Sequence, residues 1–340
     1  MGDSTASTGQ PAADPRAFDT TLVTAIEPGP LEAQVLLQAE SLRRLPSPIA
    51  EVPFMAVQPR FGTRLGAASR KALSDLGVEY VYDNVVGPYA FYGIVNKAAG
   101  LSIARRRAST PYLTLVDGDL LWLRPPAWVV DPAADFMARA GEADLGTTLE
   151  DDTAGYWRQV TQRFGLSVDD FGWMTSKPEG VRIKEYYSSG IASARREGPV
   201  FEQYFAILKR LFDERIASRR THVYHHDQMA LTLAAVKHAA VRVEYPWAMN
   251  YNFNMLTPED VDIRFLSEIS VLHYHGSFYD TLWPKAEPYL GHLPQDAQTL
   301  VRASAPFAIR LTAIERLVRK ALTTQRNKRM KRHLSRCDYL

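Results

Sequence analysis

The chain has 340 residues, of which 46% are hydrophobic, 23% charged and 11% aromatic, ample material for a packed core and unlike a disordered or fibrous chain. The net charge of +2 is unevenly spread: from Arg310 onward ten Lys/Arg stand against Glu315 and Asp338, a local +8 that leaves −6 for the rest. A slightly acidic bulk argues against binding along a nucleic-acid backbone, a single cysteine (Cys337) excludes an intrachain disulfide and a Cys-rich zinc site, and no apolar run reaches the roughly 18 residues of a membrane span. The opening MGDSTASTGQPAADPRA lacks the basic and apolar regions of a secretory signal, so a cytoplasmic protein is expected.

Residues 1–18 are small, polar and Pro-containing, and are expected to be disordered. TLVTAI (21–26) reads as a strand ending in Glu27-Pro28-Gly29-Pro30, and 31–45 as a helix with Leu31, Val35, Leu42 and Leu45 at helical spacing. Strands at 52–59, 78–84 and 112–123 alternate with helices at 64–77 and 88–108. Strand and helix thus alternate repeatedly between 21 and 123, the pattern of a mostly parallel α/β sheet with helices on both faces. Beyond Pro125-Pro126 the pattern loosens. A strand is expected at 143–152, an aromatic, Gly-rich stretch at 155–185, strands at 185–196, 241–253 and 268–277, helices at 198–218 and 225–239, and a basic helix over 307–336. The domain plan is one α/β domain over 19–300, in halves 19–130 and 131–300, with a tail at 301–340.

Two segments carry chemistry. The apolar run Tyr112–Val116 delivers Asp117-Gly118-Asp119 at its end, and in open α/β sheets ligands bind at the carboxyl ends of strands. Two carboxylates one residue apart repel unless a cation or donor lies between them, and hard divalent ions favour such oxygens. Read alone, the pair fits a solvated acidic turn as well. The second segment is His273-Tyr274-His275-Gly276, where strand geometry puts both histidines on one side and either could offer an imidazole to the same ion, nitrogen suiting Mn²⁺ better than Mg²⁺.

Taken together, these segments resemble nucleotide-sugar-dependent glycosyltransferases of the GT-A fold, most closely the family-8-like branch that includes glycogenin and bacterial lipooligosaccharide galactosyltransferases. TLVTAI and its helix resemble the family's first βα unit, YLTLVDGDLLWLRP its D-x-D strand, Tyr187-Ser188-Ser189-Gly190-Ile191 its segment facing the donor sugar, His226-Asp227-Gln228 its D-Q helix, and HYHG its H-x-x-G loop. The likeness has gaps: Ser188-Ser189 replaces the usual Asn, and Ser277-Phe278-Tyr279 stands where the family loop continues Lys-Pro-Trp.

The resemblance implies transfer of a sugar from a nucleoside diphosphate, by analogy a UDP-sugar, to a hydroxyl acceptor. It implies Asp117, Asp119 and His273 as ligands of Mn²⁺ (or Mg²⁺), and donor contacts from Thr24, Ala25, Asp83, Lys97, Gly118, Ser189, Gly190 and Gly276. Asp227 and Gln228 are the catalytic candidates, with an N-cap carboxylate as the other reading of Asp227. Trp157, Trp173 and Trp247 are candidate acceptor platforms, with core packing as the alternative. The basic tail suits an anionic membrane surface and a lipid-linked acceptor. The rival readings are a metal-dependent nucleotidyltransferase and a non-catalytic nucleotide-sugar or glycan-binding protein.

Overall fold

The computed structural model describes residues 15–143, 145–176, 179–307 and 312–340. In chain order the elements are β1 (Thr20–Ala25), α1 (Pro30–Arg43), β2 (Phe54–Gln58), α2 (Ala67–Asp75), β3 (Val78–Tyr82), α3 (Val95–Ala104), β4 (Tyr112–Val116), β5 (Leu120–Trp122) and β6 (Phe136–Ala140). There follow α4 (Ala154–Arg163), β7 (Trp173–Thr175), β8 (Arg182–Lys184), β9 (Tyr187–Arg195), α5 (Val200–Asp213), β10 (Ile216–Ala217), α6 (His226–His238) and β11 (Arg242–Glu244). The chain ends with β12 (Tyr251–Asn252), β13 (Val271–His273), α7 (Trp283–Ala286), α8 (Gln295–Ser304), α9 (Ala313–Leu334) and β14 (Asp338–Tyr339).

The main sheet runs β11-β6-β9-β4-β1-β2-β3, every neighbouring pair parallel except those that β9 makes with β4 and β6. This is the mostly parallel α/β architecture expected, and strands from both sides of residue 130 share it. Side chains alternate across it: Val23, Leu113 and Leu115 join the core under α3, α5 and α6, while Leu22, Tyr112 and Val116 face α1. A strand covered on both faces tolerates little polarity, which is why Tyr112–Val116 reads as a nearly continuous apolar run, its one polar side chain, Thr114, hydrogen-bonded to Thr20 and Ser193. A smaller sheet, β12-β13-β5, packs on α7 and α8 in a third apolar cluster. Its antiparallel β13–β5 pair sets His273 opposite Leu120, directly after Asp119.

Several sequence expectations are corrected. Residues 1–14 lie outside the described residues, but Pro15–Phe18 form a 3₁₀ turn with Ala17 and Phe18 in the core, so order begins before residue 19. In place of the strand expected at 143–152, residues 145–152 form turns and bends, because Asp151 accepts hydrogen bonds from Thr147, Thr148 and Thr153 and ties the chain back on itself. The true strand is β6, upstream, whose Arg139 disguises a buried segment. The aromatic stretch holds α4 and the β7–β8 hairpin. The expected boundary at 301 falls inside α8, whose Leu300 and Val301 are buried.

Candidate active site

The turn after β4 and the end of β13 bring the two segments together. His273 Nε2 lies 3.2 Å from Asp119 Oδ1 and 3.7 Å from Asp117 Oδ2. His275 completes a cluster in which one donor atom each from Asp119, His273 and His275 lie within 4.8 Å of one another. The two imidazoles stack with centroids 3.9 Å apart, as the same-side spacing of His273 and His275 requires. His273 Nδ1 hydrogen-bonds Asn250 Oδ1 at 3.1 Å, and His275 Nε2 bonds Asn252 Oδ1 at 2.7 Å. An amide oxygen accepts only from an N–H, so in the neutral form of each ring the bond fixes the tautomer and leaves the opposite nitrogen as an acceptor for a cation. Burial, reinforced by the neighbouring His273, pushes His275 down to about 3, so its ring is neutral at physiological pH. One carboxylate and two such imidazoles this close together, with Asp117 beside them, could hold a divalent metal ion.

Lys97, from α3, bridges this cluster to the start of α6. Its Nζ donates to Asp117 Oδ2 at 2.8 Å and to Ser189 Oγ at 3.1 Å, and sits 3.8 Å from Asp227 Oδ2. Burial alone would lower the lysine pKa, but the Asp117 and Asp227 carboxylates outweigh it and hold the ammonium above its ordinary range. Asp117 itself is raised, because burial outweighs the pull of Lys97. Asp119 is lowered: burial opposes, and the adjacent His273 wins. Asp227 is buried and accepts from Ser189 Oγ (2.6 Å) and Tyr92 Oη (3.0 Å). It therefore belongs to the site as well as to the first turn of α6, and Tyr92 was not foreseen.

One cleft joins these groups. At one end, a cavity of about 410 Å³ is lined by Lys97, Asp117, Ser189, Asp227, Gln228 and His275 among others. The cleft continues past Ala25, Asn96, Gly118 and Asp119 to Arg60 and Gly93. There it opens into a further cavity of about 400 Å³ bounded by Glu27, Gln58 and Arg60 on one side and by α9 on the other. Glu27 and Arg60 form a two-pronged ion pair (2.5 and 2.6 Å), and Asn96 Nδ2 donates to Glu27 at 3.0 Å. The carboxylate, charged and largely buried, is lowered by Arg60 against the burial that would raise it.

Residues 22–239 match the Rhodobacterales glycosyltransferase domain family. The chain belongs to that family. It is a glycosyltransferase, and the readings as a nucleotidyltransferase or an inert binder give way to sugar transfer. Solved structures similar to this glycosyltransferase include the galactosyltransferase LgtC in complex with donor and acceptor sugar analogues (14% identity, TM-score 0.48, covering 83% of this chain and 99% of that one). An active-site mutant of LgtC matches with 14% identity, TM-score 0.47 and the same coverage, and the apo form of the bifunctional glycosyltransferase WbbM with 12% identity, TM-score 0.43, covering 84% of this chain and 51% of that one. No curated protein matches it by sequence.

Not every residue singled out from the sequence reaches the cleft of this glycosyltransferase. Thr24 is wholly buried within β1, its hydroxyl without a hydrogen-bond partner among the described residues, whereas Ala25 lines the cleft. Asp83 lies on the surface paired with Arg106 at 3.4 Å, because β3 is an edge strand, three places from β4. Trp157 is a core residue packed edge-to-face on Phe171 and Tyr186. Trp173 sits on the β7–β8 hairpin beneath Arg182 and Lys184, and Trp247 packs against Tyr251 and Phe265. Aromatics that do line the cleft are Tyr224, exposed at its mouth beside His225, Tyr279 at the same mouth and Phe91 in the far cavity. Gly276 lines the same mouth with Asp119 and His275.

Proposed function

We propose that this glycosyltransferase moves a sugar from a nucleoside-diphosphate sugar to a hydroxyl acceptor, with Asp119, His273 and His275 holding a divalent cation and Asp117 completing the charge around it. The observation that carries the reading is the convergence of those groups at the middle of one cleft, with Lys97 and Asp227 toward one end and Glu27–Arg60 toward the other. A bound Mn²⁺ or Mg²⁺ supplies stabilisation of the negative charge that builds on the leaving diphosphate. Lys97 adds a fixed positive charge beside it. Ser189, Gly190, Gly118, Ala25 and Gly276 form the donor-facing surface. Asp227, with its hydrogen bonds to Ser189 and Tyr92, orients sugar hydroxyls together with Gln228, and Tyr224 is the stacking platform for the acceptor ring. By the sequence resemblance the donor is a UDP-sugar.

Calorimetric titration with UDP and GDP, each with and without Mn²⁺, tests this. Binding is expected to depend on the metal in the wild type and to lose that dependence in Asp119→Ala. Metal-independent binding, or binding unaltered in Asp119→Ala, refutes the cation assignment. Turnover confined to GDP-sugars in a donor-hydrolysis screen refutes the choice of base.

The acceptor we place at an anionic membrane surface, as a lipid-linked or surface saccharide. At 100° per residue, Ile314, Leu317, Lys328, Lys331 and Arg332 share the side of α9 facing away from the cleft, and Ile314 and Leu317 are 75% and 69% exposed. No helix among the described residues is long and apolar enough to cross a membrane. Sedimentation with phosphatidylserine vesicles but not neutral ones is the expected result, and equal recovery with both counts against it.

A further inference from the structure

The cleft is built on three sides, and the third side comes from the last part of the chain. α9 is tethered at both of its flanks. Before it, the backbone of Phe307 donates to Phe278, next to the His/Gly loop. In its last turn His333 packs on Phe91 and Phe212, and after it β14 pairs with β10. Thr312 and Glu315 cap its start with reciprocal hydrogen bonds, so the helix begins at a defined place. Between the tethers it crosses the outer end of the cleft. Glu315, Arg319, Leu322, Thr323, Arg326 and Asn327 fall within one face and line the cavity opposite Glu27 and Arg60.

Two arginines on that face behave differently. Arg326 is committed: it donates to the Phe61 carbonyl at 3.2 Å and lies 4.0 Å from Glu27, and so pins the helix to the β1 and β2 ends. Arg319 is not. Among the described residues it makes no hydrogen bond and no ion pair, yet its guanidinium is held against the cleft floor at Gly29. That glycine has φ +104°, and a Cβ built on it would lie 2.5 Å from Arg319 Nη1. A planar cation with five free donors, facing a cleft that also holds Lys97 and a candidate cation site, calls for an anionic, planar-bearing ligand.

We propose that α9 is a wall of the donor site and that Arg319 is a nucleotide-binding residue, giving its guanidinium to the nucleoside diphosphate across the cleft from α1. The proposal rests on the donor-cleft reading above. It is tested on the full chain by titrating UDP and GDP in the presence of Mn²⁺ into the wild type, Arg319→Ala, Arg319→Lys and Arg316→Ala, the last removing an equal charge that does not line the cavity. Loss of a charge-assisted contact is expected to weaken nucleoside-diphosphate binding about tenfold or more in Arg319→Ala. Arg319→Lys should recover part of the loss, Arg316→Ala should bind as the wild type, and thermal unfolding should be unchanged in all three. Arg319→Ala binding like the wild type, or Arg316→Ala losing as much, overturns the proposal while leaving the donor cleft intact. Failure of the wild type to bind either nucleotide overturns the donor-cleft reading and this proposal with it.

Discussion

A methyl group at position 190 would collide with the machinery of the site. A Cβ there would lie 2.8 Å from Asn250 Nδ2 and 2.9 Å from His273 Nδ1, closer than carbon and nitrogen tolerate. Gly190 is therefore the residue that lets the Asn250–His273 pair close onto β9, and its place beside Ser189 in the segment proposed to face the donor has a steric cause. Gly190→Ala is predicted to cost about 1–3 kcal/mol of stability, since the neighbours are buried and cannot all move. Its larger effect should be on turnover: displacing the His273 ring by even about 1 Å costs on the order of 100-fold. Denaturant titration and kcat/KM measured side by side check both, and wild-type turnover in Gly190→Ala would show that the ring does not depend on this contact. The same neighbourhood shows how much of the site was legible. Asp117, Asp119 and His273 stand out because their chemistry is local in the chain. Asn250 and Asn252 do not, although a signal exists: Asn-Tyr-Asn at 250–252 repeats the spacing of His-Tyr-His at 273–275, and the two parallel strands β12 and β13 match amide to imidazole twice.

At the scale of elements, parallel strands declare themselves as apolar runs, so β1, β2 and β4 were readable, while β6 was hidden by Arg139 and the tryptophans misled. An indole looks the same in a sequence whether it lines a cleft or, like Trp157, fills the core. The start of α6 is a case where burial has a measurable consequence. His226, at its first turn, is buried beside Phe212, and its Nε2–H donates to the Ile216 carbonyl at 2.8 Å. Burial lowers its pKa to about 4, the hydrogen bond to Ile216 and the nearby Asp227 only partly opposing. The unfolded chain, with an ordinary histidine near 6.5, takes up a proton in this range that the folded chain refuses. The neutral ring's full contribution is thus present above pH 6.5 and is lost progressively as the pH falls toward 4. Between pH 7 and pH 5 this one group should remove about 2 kcal/mol. Urea unfolding across that range should show a shallower pH slope in His226→Gln than in the wild type, and parallel slopes would show that the ring is not the group responsible.

For the whole molecule, the division between a rigid sheet and a strap laid over it follows from where apolar area is buried. β4 lies between β1 and β9 with all of its side chains buried, and its amides should exchange only when the whole fold opens. No described residue of α9 is buried, and it is held by its end tethers and by Arg326. Basic composition made the helix legible from the sequence, but nothing there pointed inward: its docking depends on partners more than 200 residues away, Glu27 and Phe61 among them. Hydrogen exchange should accordingly find α9 opening locally while β1, β4 and β9 stay protected. If the helix walls the donor site, UDP with Mn²⁺ should slow exchange in α9 and in the turn at 27–30 together, leaving β4 unchanged, because ligand binding stabilises only those openings that break its contacts. Slowing confined to the turn, with α9 exchanging as fast as before, would mean that the nucleotide reaches the strand ends without touching the strap.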